Sequence, residues 1–91
     1  MRYIISYDIS DDKRRRLIVK RLMKSAHRIQ YSVFEAELSG AEQRGLWRDL
    51  NGIVDPDQDG LLMIPLCMRC RQNQLRAGTT GVAVVDERAV I

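Results

Sequence analysis

Arg28-Ile29-Gln30-Tyr31-Ser32-Val33-Phe34-Glu35-Ala36-Glu37-Leu38 is the stretch that decides how this chain folds. Apolar and polar residues alternate along it, the period of a half-buried strand, but the alternation changes phase part-way. Ile29, Tyr31 and Val33 share one parity, whereas Phe34, Ala36 and Leu38 share the other. A single regular strand would turn one of these sets to the wrong face. The stretch therefore reads as two short strands joined tightly around Tyr31 to Val33, or as one strand broken by a bulge.

Residues 2 to 8, rich in β-branched and aromatic side chains, form an earlier strand. Its alternation places Tyr3, Ile5 and Tyr7 on one face and Ile4, Ser6 and Asp8 on the other. Between the two strand regions a helix is expected from Ser10, as N-cap, to about Ala26. Its apolar stripe is Ile18, Val19, Leu22, Met23 and Ala26. Arg14 and Arg16 flank that stripe, while Arg15 lies within its sector and should lean toward the end of the first strand.

Downstream, Ser39 and Glu42 have the spacing of a capping box that opens a second helix. The helix carries Leu46, Trp47, Leu50, Ile53 and Val54 on one stripe, and Asp55-Pro56 should end it. Leu61 to Leu66 reads as another strand, with Pro65 arguing for an edge position. A short polar segment follows, then a Gly-Thr-Thr-Gly break and strand-like residues from Val82 to Ile91.

Strand, helix, a bent strand or hairpin, helix, strand fits the split-βαβ, ferredoxin-like plan, an α+β fold. The 91 residues allow one domain, with a core of about 1–78 and a strand-rich tail of about 79–91. Two helices can cover only one face of such a sheet. A homodimer in which the tail adds to the partner's sheet edge would use both the open face and the surplus strand.

The apolar fraction is 45% and the charged fraction 30%, ordinary for a globular protein, and no apolar run is long enough to span a bilayer. The N-terminus does not read as a signal peptide, so a cytoplasmic protein with no membrane partner is expected. Net charge is only +3, yet eight of the fifteen Lys and Arg fall between residues 13 and 28, a segment without an acid. That block is the electrostatic footprint expected of a polyanion-binding surface.

Asp55-Pro56-Asp57-Gln58-Asp59-Gly60 matches the first half of a calcium loop, but the position of the bidentate Glu holds Leu66. It reads as an acidic turn. Cys67 and Cys70 form a lone Cys-x-x-Cys, with His27 the only histidine and far away in sequence. A structural zinc site needs four ligands, so these read as thiols at a strand-to-helix junction. The remaining chemical candidate is Asp8, at the end of the first strand. Magnesium takes one or two carboxylates with water and substrate phosphates. Two copies of Asp8 meeting across a dimer axis would supply such a site and could activate water for phosphodiester attack.

Tyr7 to Arg16 together with Arg28 to Glu35 resemble the small CRISPR-associated spacer-adaptation endonucleases, the smaller of the two universal CRISPR adaptation proteins. The resemblance extends through Cys67-Met68-Arg69-Cys70 to the hydrophobic tail. It implies a ferredoxin-like homodimer with exchanged C-terminal strands. It also implies a magnesium-dependent endonuclease, with manganese able to replace magnesium, acting on single-stranded RNA or double-stranded DNA. The partner implied is the large CRISPR integrase, in a heterohexameric complex that captures protospacer DNA. By the same resemblance Asp8 is the metal ligand, and Tyr7, Arg28 and Phe34 join it in catalysis. Arg14, Arg15 and Arg16 match basic positions that contact nucleic acid, although a further basic position of some members is Leu17 here. Two other readings are a non-catalytic DNA-binding scaffold of the same complex, and a toxin-like ribonuclease similar to virulence-associated protein D.

Overall fold

The phase change near Tyr31 becomes a tight reversal between two strands. In the computed structural model, which describes residues 1–75 and 77, β2 (His27–Gln30) and β3 (Val33–Glu37) pair antiparallel across a two-residue turn. Their register slips between Arg28 and Gln30, the irregularity the parity switch requires. The first strand, β1 (Arg2–Asp8), pairs antiparallel with β3 on one side and with β4 (Gly60–Leu66) on the other. The described strands thus lie in the order β2-β3-β1-β4, the ferredoxin-like arrangement. Pro65, opposite Tyr3, sits on β4 at the sheet edge, where its missing N–H costs no described ladder bond.

Two helices pack on one face of this sheet. α1 (Asp12–Leu22) buries Ile18 and Leu22, and α2 (Gly40–Asn51) buries Leu46 and Leu50. They meet Ile5, Tyr7, Phe34 and Ala36 from the sheet, with Leu61 and Met63 packed against the same core. Arg21 Nε donates to Asp49 Oδ2 at 2.9 Å, tying the two helices together. A short helix, α3 (Met68–Gln72), follows β4.

Three boundaries differ from expectation. The N-cap of α1 is Asp11 rather than Ser10, because the Asp11 carboxylate accepts the Arg14 amide at 2.9 Å. α1 stops at Leu22 rather than near Ala26, since the Leu22 carbonyl collects the amides of both Ser25 and Ala26 in a closing turn before β2. α2 stops at Asn51, where Gly52 lowers helix propensity, and Ile53 and Val54 fold back on the Leu50 carbonyl. Trp47 lies at the border of its stripe and stays 36% exposed. The capping box of Ser39 and Glu42 is present with both of its hydrogen bonds.

The other sheet face carries Ile4, Ser6, Asp8, Leu62 and Ile64, with Ile4 opposite Ile64 and Ser6 opposite Leu62. Leu62 and Ile64 remain 53% and 44% exposed, so no described element covers this face. The predicted tail strands lie outside the described residues.

Candidate functional site

Asp8 is the last residue of β1, directly opposite Gly60. Alternation from the buried Ile5 and Tyr7 sends it to the uncovered face, and Gly60 has no side chain to shield it, so Asp8 is exposed. No cluster of three or more His, Cys, Asp or Glu side chains surrounds it among the described residues. One chain therefore offers one carboxylate, which suits half of a shared magnesium site rather than a complete one.

Tyr7, Phe34 and Arg28 come together on the opposite, helix-bearing face. The Tyr7 and Phe34 rings are 6.3 Å apart, both buried in the core. The Arg28 guanidinium lies 5.1 Å from the Phe34 ring centroid and 6.0 Å from that of Tyr31, within cation–π range. Tyr7 donates its hydroxyl hydrogen to the Tyr31 carbonyl at 3.2 Å, pinning the β2–β3 turn to the central strand. The four residues grouped by resemblance are thus divided by the sheet: Asp8 on one face, the other three associated on the second.

Beside this aromatic group is a cleft of about 370 Å³ lined by Tyr7, Arg15, Arg16, Val19, Lys20, Arg28 and Tyr31. It holds four cationic side chains and no carboxylate in its lining. Tyr31, 71% exposed, offers an aromatic face at its rim. Lys20 is part of the basic block at residues 13 to 28, whereas Tyr31 carries no site expectation from sequence. The signal for Lys20 is its spacing, one turn beyond Arg16 on the same side of α1. That for Tyr31 is a large aromatic placed in a two-residue turn.

The three consecutive arginines have different surroundings. Arg14 forms a bidentate pair with Asp59, Nε to Oδ2 at 2.7 Å and Nη2 to Oδ1 at 3.2 Å. The Asp59 side chain is only 1% exposed. Asp59 also accepts the Asp55 amide at 2.8 Å, so the acidic turn expected from sequence is closed internally and clamped to α1. The Arg14 guanidinium, then the Asp55 amide, hold the Asp59 carboxyl below the ordinary aspartate pKa. Arg14, a basic position matched by resemblance to nucleic-acid contact, is thus engaged within the chain by Asp59, with 25% of its side chain exposed. Arg15 leans back toward the end of β1, as its stripe position predicts, donating to the carbonyls of Ile9 and Ser10 and pairing with Asp12. Arg16 is exposed and makes no ion pair among the described residues.

Comparison with known proteins places this geometry. The model of the CRISPR associated protein Cas2 family matches residues 1–74. A CRISPR-associated endoribonuclease Cas2 of Archaeoglobus fulgidus is 38% identical over 91 residues, covering 99% of this chain and 97% of that protein. One from Rhodospirillum rubrum is 34% identical, covering 99% of this chain and 73% of its own length. Among solved structures, Streptococcus pyogenes Cas2 superposes with a TM-score of 0.76 at 25% identity, over 86% of this chain and all of that one. A hypothetical protein from Thermus thermophilus gives the same TM-score at 31% identity, covering 85% and 90% of the two chains. With a family model spanning the described fold, full-length relatives and a shared arrangement of strands, this chain belongs to the CRISPR-associated Cas2 family.

Proposed function

We propose that the chain is a CRISPR adaptation subunit that binds nucleic acid on its α1 face and cleaves phosphodiester bonds at a magnesium site built from two copies of Asp8. Relatives named as endoribonucleases support the nuclease reading; the proposed substrate is single-stranded RNA or double-stranded DNA. The observation that carries the placement of the metal is the exposed Asp8 at the end of the central strand, on the face the helices leave open.

Each side chain has a distinct task. Arg16, Lys20 and Arg28 attract the phosphates, and Tyr31 offers a surface on which an unpaired base stacks, worth roughly 1–3 kcal/mol per base. Tyr7 and Phe34 hold Arg28 and the β2–β3 turn in place from the core side. Asp8 from each chain would hold magnesium, or manganese, which when bound neutralises phosphate charge and lowers the pKa of its water. The exposed strip of Leu62 and Ile64 supports the second copy meeting this one through the same face. The large CRISPR integrase is the proposed partner of that dimer.

Asp8→Asn tests the reading. Cleavage should fall by orders of magnitude without rescue by added metal, while metal-free binding of the strand is retained or tightened, since negative charge near the phosphates is gone. An intact magnesium-dependent rate in the variant would remove Asp8 from the chemistry. The second reading, a non-catalytic scaffold, is favoured by the separation of Asp8 from the Tyr7, Arg28 and Phe34 group. It prevails if the wild-type protein binds DNA and integrase but cleaves neither RNA nor DNA with any divalent metal.

A further inference from the structure

Neither the proposed nuclease chemistry nor the core uses Cys67 and Cys70. Cys67 leaves β4 as the N-cap residue of α3, and Cys70 follows within the first turn of that helix. Both side chains are exposed, and their Sγ atoms are 3.3 Å apart. A disulfide bond measures about 2.0 Å, so only a small approach of the two sulfurs is needed. The Cys70 amide donates to Cys67 Sγ at 3.4 Å, a hydrogen bond that favours the thiolate. That amide first, and then the Cys70 thiol, hold the Cys67 thiol below the usual cysteine pKa, while the Cys67 sulfur pushes Cys70 up. The pair is thus asymmetric, with one attacking sulfur and one resolving sulfur. Arg69 lies between them in sequence, exposed and without an ion pair among the described residues.

We propose that Cys67 and Cys70 form a reversible intrachain dithiol–disulfide couple that exchanges with small anionic disulfides of the glutathione disulfide class. The Cys67 thiolate attacks one sulfur of the small disulfide, breaking its S–S bond and releasing one glutathione thiolate, which takes up a proton. Cys70 then loses its proton to solvent and attacks Cys67 Sγ, expelling the second glutathione thiolate. The two protein thiols are oxidised and one glutathione disulfide is reduced to two thiols. With only two residues between the cysteines, the bridge restrains little of the unfolded chain. It acts as an exchangeable couple rather than as a structural clamp.

The full chain should be incubated with glutathione disulfide, with intact mass and thiol alkylation as readouts. The expected product is a single chain lighter by two hydrogens, resistant to iodoacetamide, unchanged in far-ultraviolet circular dichroism, and restored by dithiothreitol. Cys70→Ser should stop at the mixed disulfide on Cys67, and Cys67→Ser should acquire glutathione several-fold more slowly. Accumulation of the mixed disulfide in the wild-type chain, or a disulfide linking two chains, overturns the proposal. So does stoichiometric zinc that protects both thiols in the untreated protein, because the pair would then be a metal ligand.

Discussion

Asp59 carries no proposed chemistry, yet its burial decides what its neighbour can do. Because its carboxylate is enclosed and spends both oxygens on the Arg14 guanidinium, the first of the three arginines holds α1 to the turn before β4. Arg14→Ala is therefore expected to lower Tm while leaving the salt dependence of nucleic-acid binding close to that of the wild type. Paired thermal melts and binding isotherms at several salt concentrations check both parts. The depressed carboxyl pKa of Asp59 fixes the sign of the pH effect. Its contribution is complete above the unfolded aspartate value of about 3.9 and is lost as pH falls through the lower folded value. Asp59→Asn should accordingly narrow the difference in Tm between neutral and acid solution. Arg16 presents the opposite case, an exposed cation at the cleft. Arg16→Ala should leave Tm unchanged and reduce the slope of log affinity against log salt by about 0.7 on a single strand, one phosphate contact. An unaltered slope would place the strand elsewhere on the surface.

At the scale of elements, end chemistry determines where each helix begins and how firmly. α2 starts at a complete capping box, Ser39 Oγ accepting the Glu42 amide at 3.1 Å and Glu42 accepting the Ser39 amide at 2.8 Å. The Ser39 amide and then its hydroxyl hold Glu42 below the ordinary glutamate pKa. Ser39→Ala should destabilise the protein by about 1 kcal/mol, read from urea denaturation with an unchanged m-value. The β2–β3 hairpin is fastened differently, by the Tyr7 hydroxyl on the Tyr31 carbonyl and by the Tyr7 amide on the Ser32 carbonyl at 3.1 Å. This central-strand grip on a tight turn keeps Tyr31 and Arg28 at the mouth of the cleft. The parity change showed a break around Tyr31 to Val33 that fits either a bulge or a hairpin, and strand pairing makes it a hairpin. The helix ends were less legible, since the periodicity of Ala26, Ile53 and Val54 continues into turns that pack the same residues on the core without being helical, while Met23, assigned to the stripe by its spacing, is 61% exposed.

For the whole molecule, the sheet has one face packed by helices and one with an apolar strip that includes Ile4, Leu62 and Ile64. Two like charges placed on that strip should separate a dimer formed through it. The expected result for Leu62→Glu with Ile64→Glu is a monomer by light scattering that has lost cleavage and kept its fold. A dimer of wild-type stability would move the interface elsewhere. Local pattern was sufficient for the order of elements, the split strand, the capping box of α2, the face assigned to Asp8 and the inward lean of Arg15. Each of these follows from side-chain period or short-range hydrogen bonding, which neighbouring residues determine. Tertiary structure alone decided that Arg14 meets Asp59, which lies forty-five residues away. It alone collected Lys20, Arg28 and Tyr31 around one cleft and brought Arg28 and Phe34 together with Tyr7. The order β2-β3-β1-β4 brings distant segments into contact, and no local periodicity encodes which charges then find a partner and which stay free.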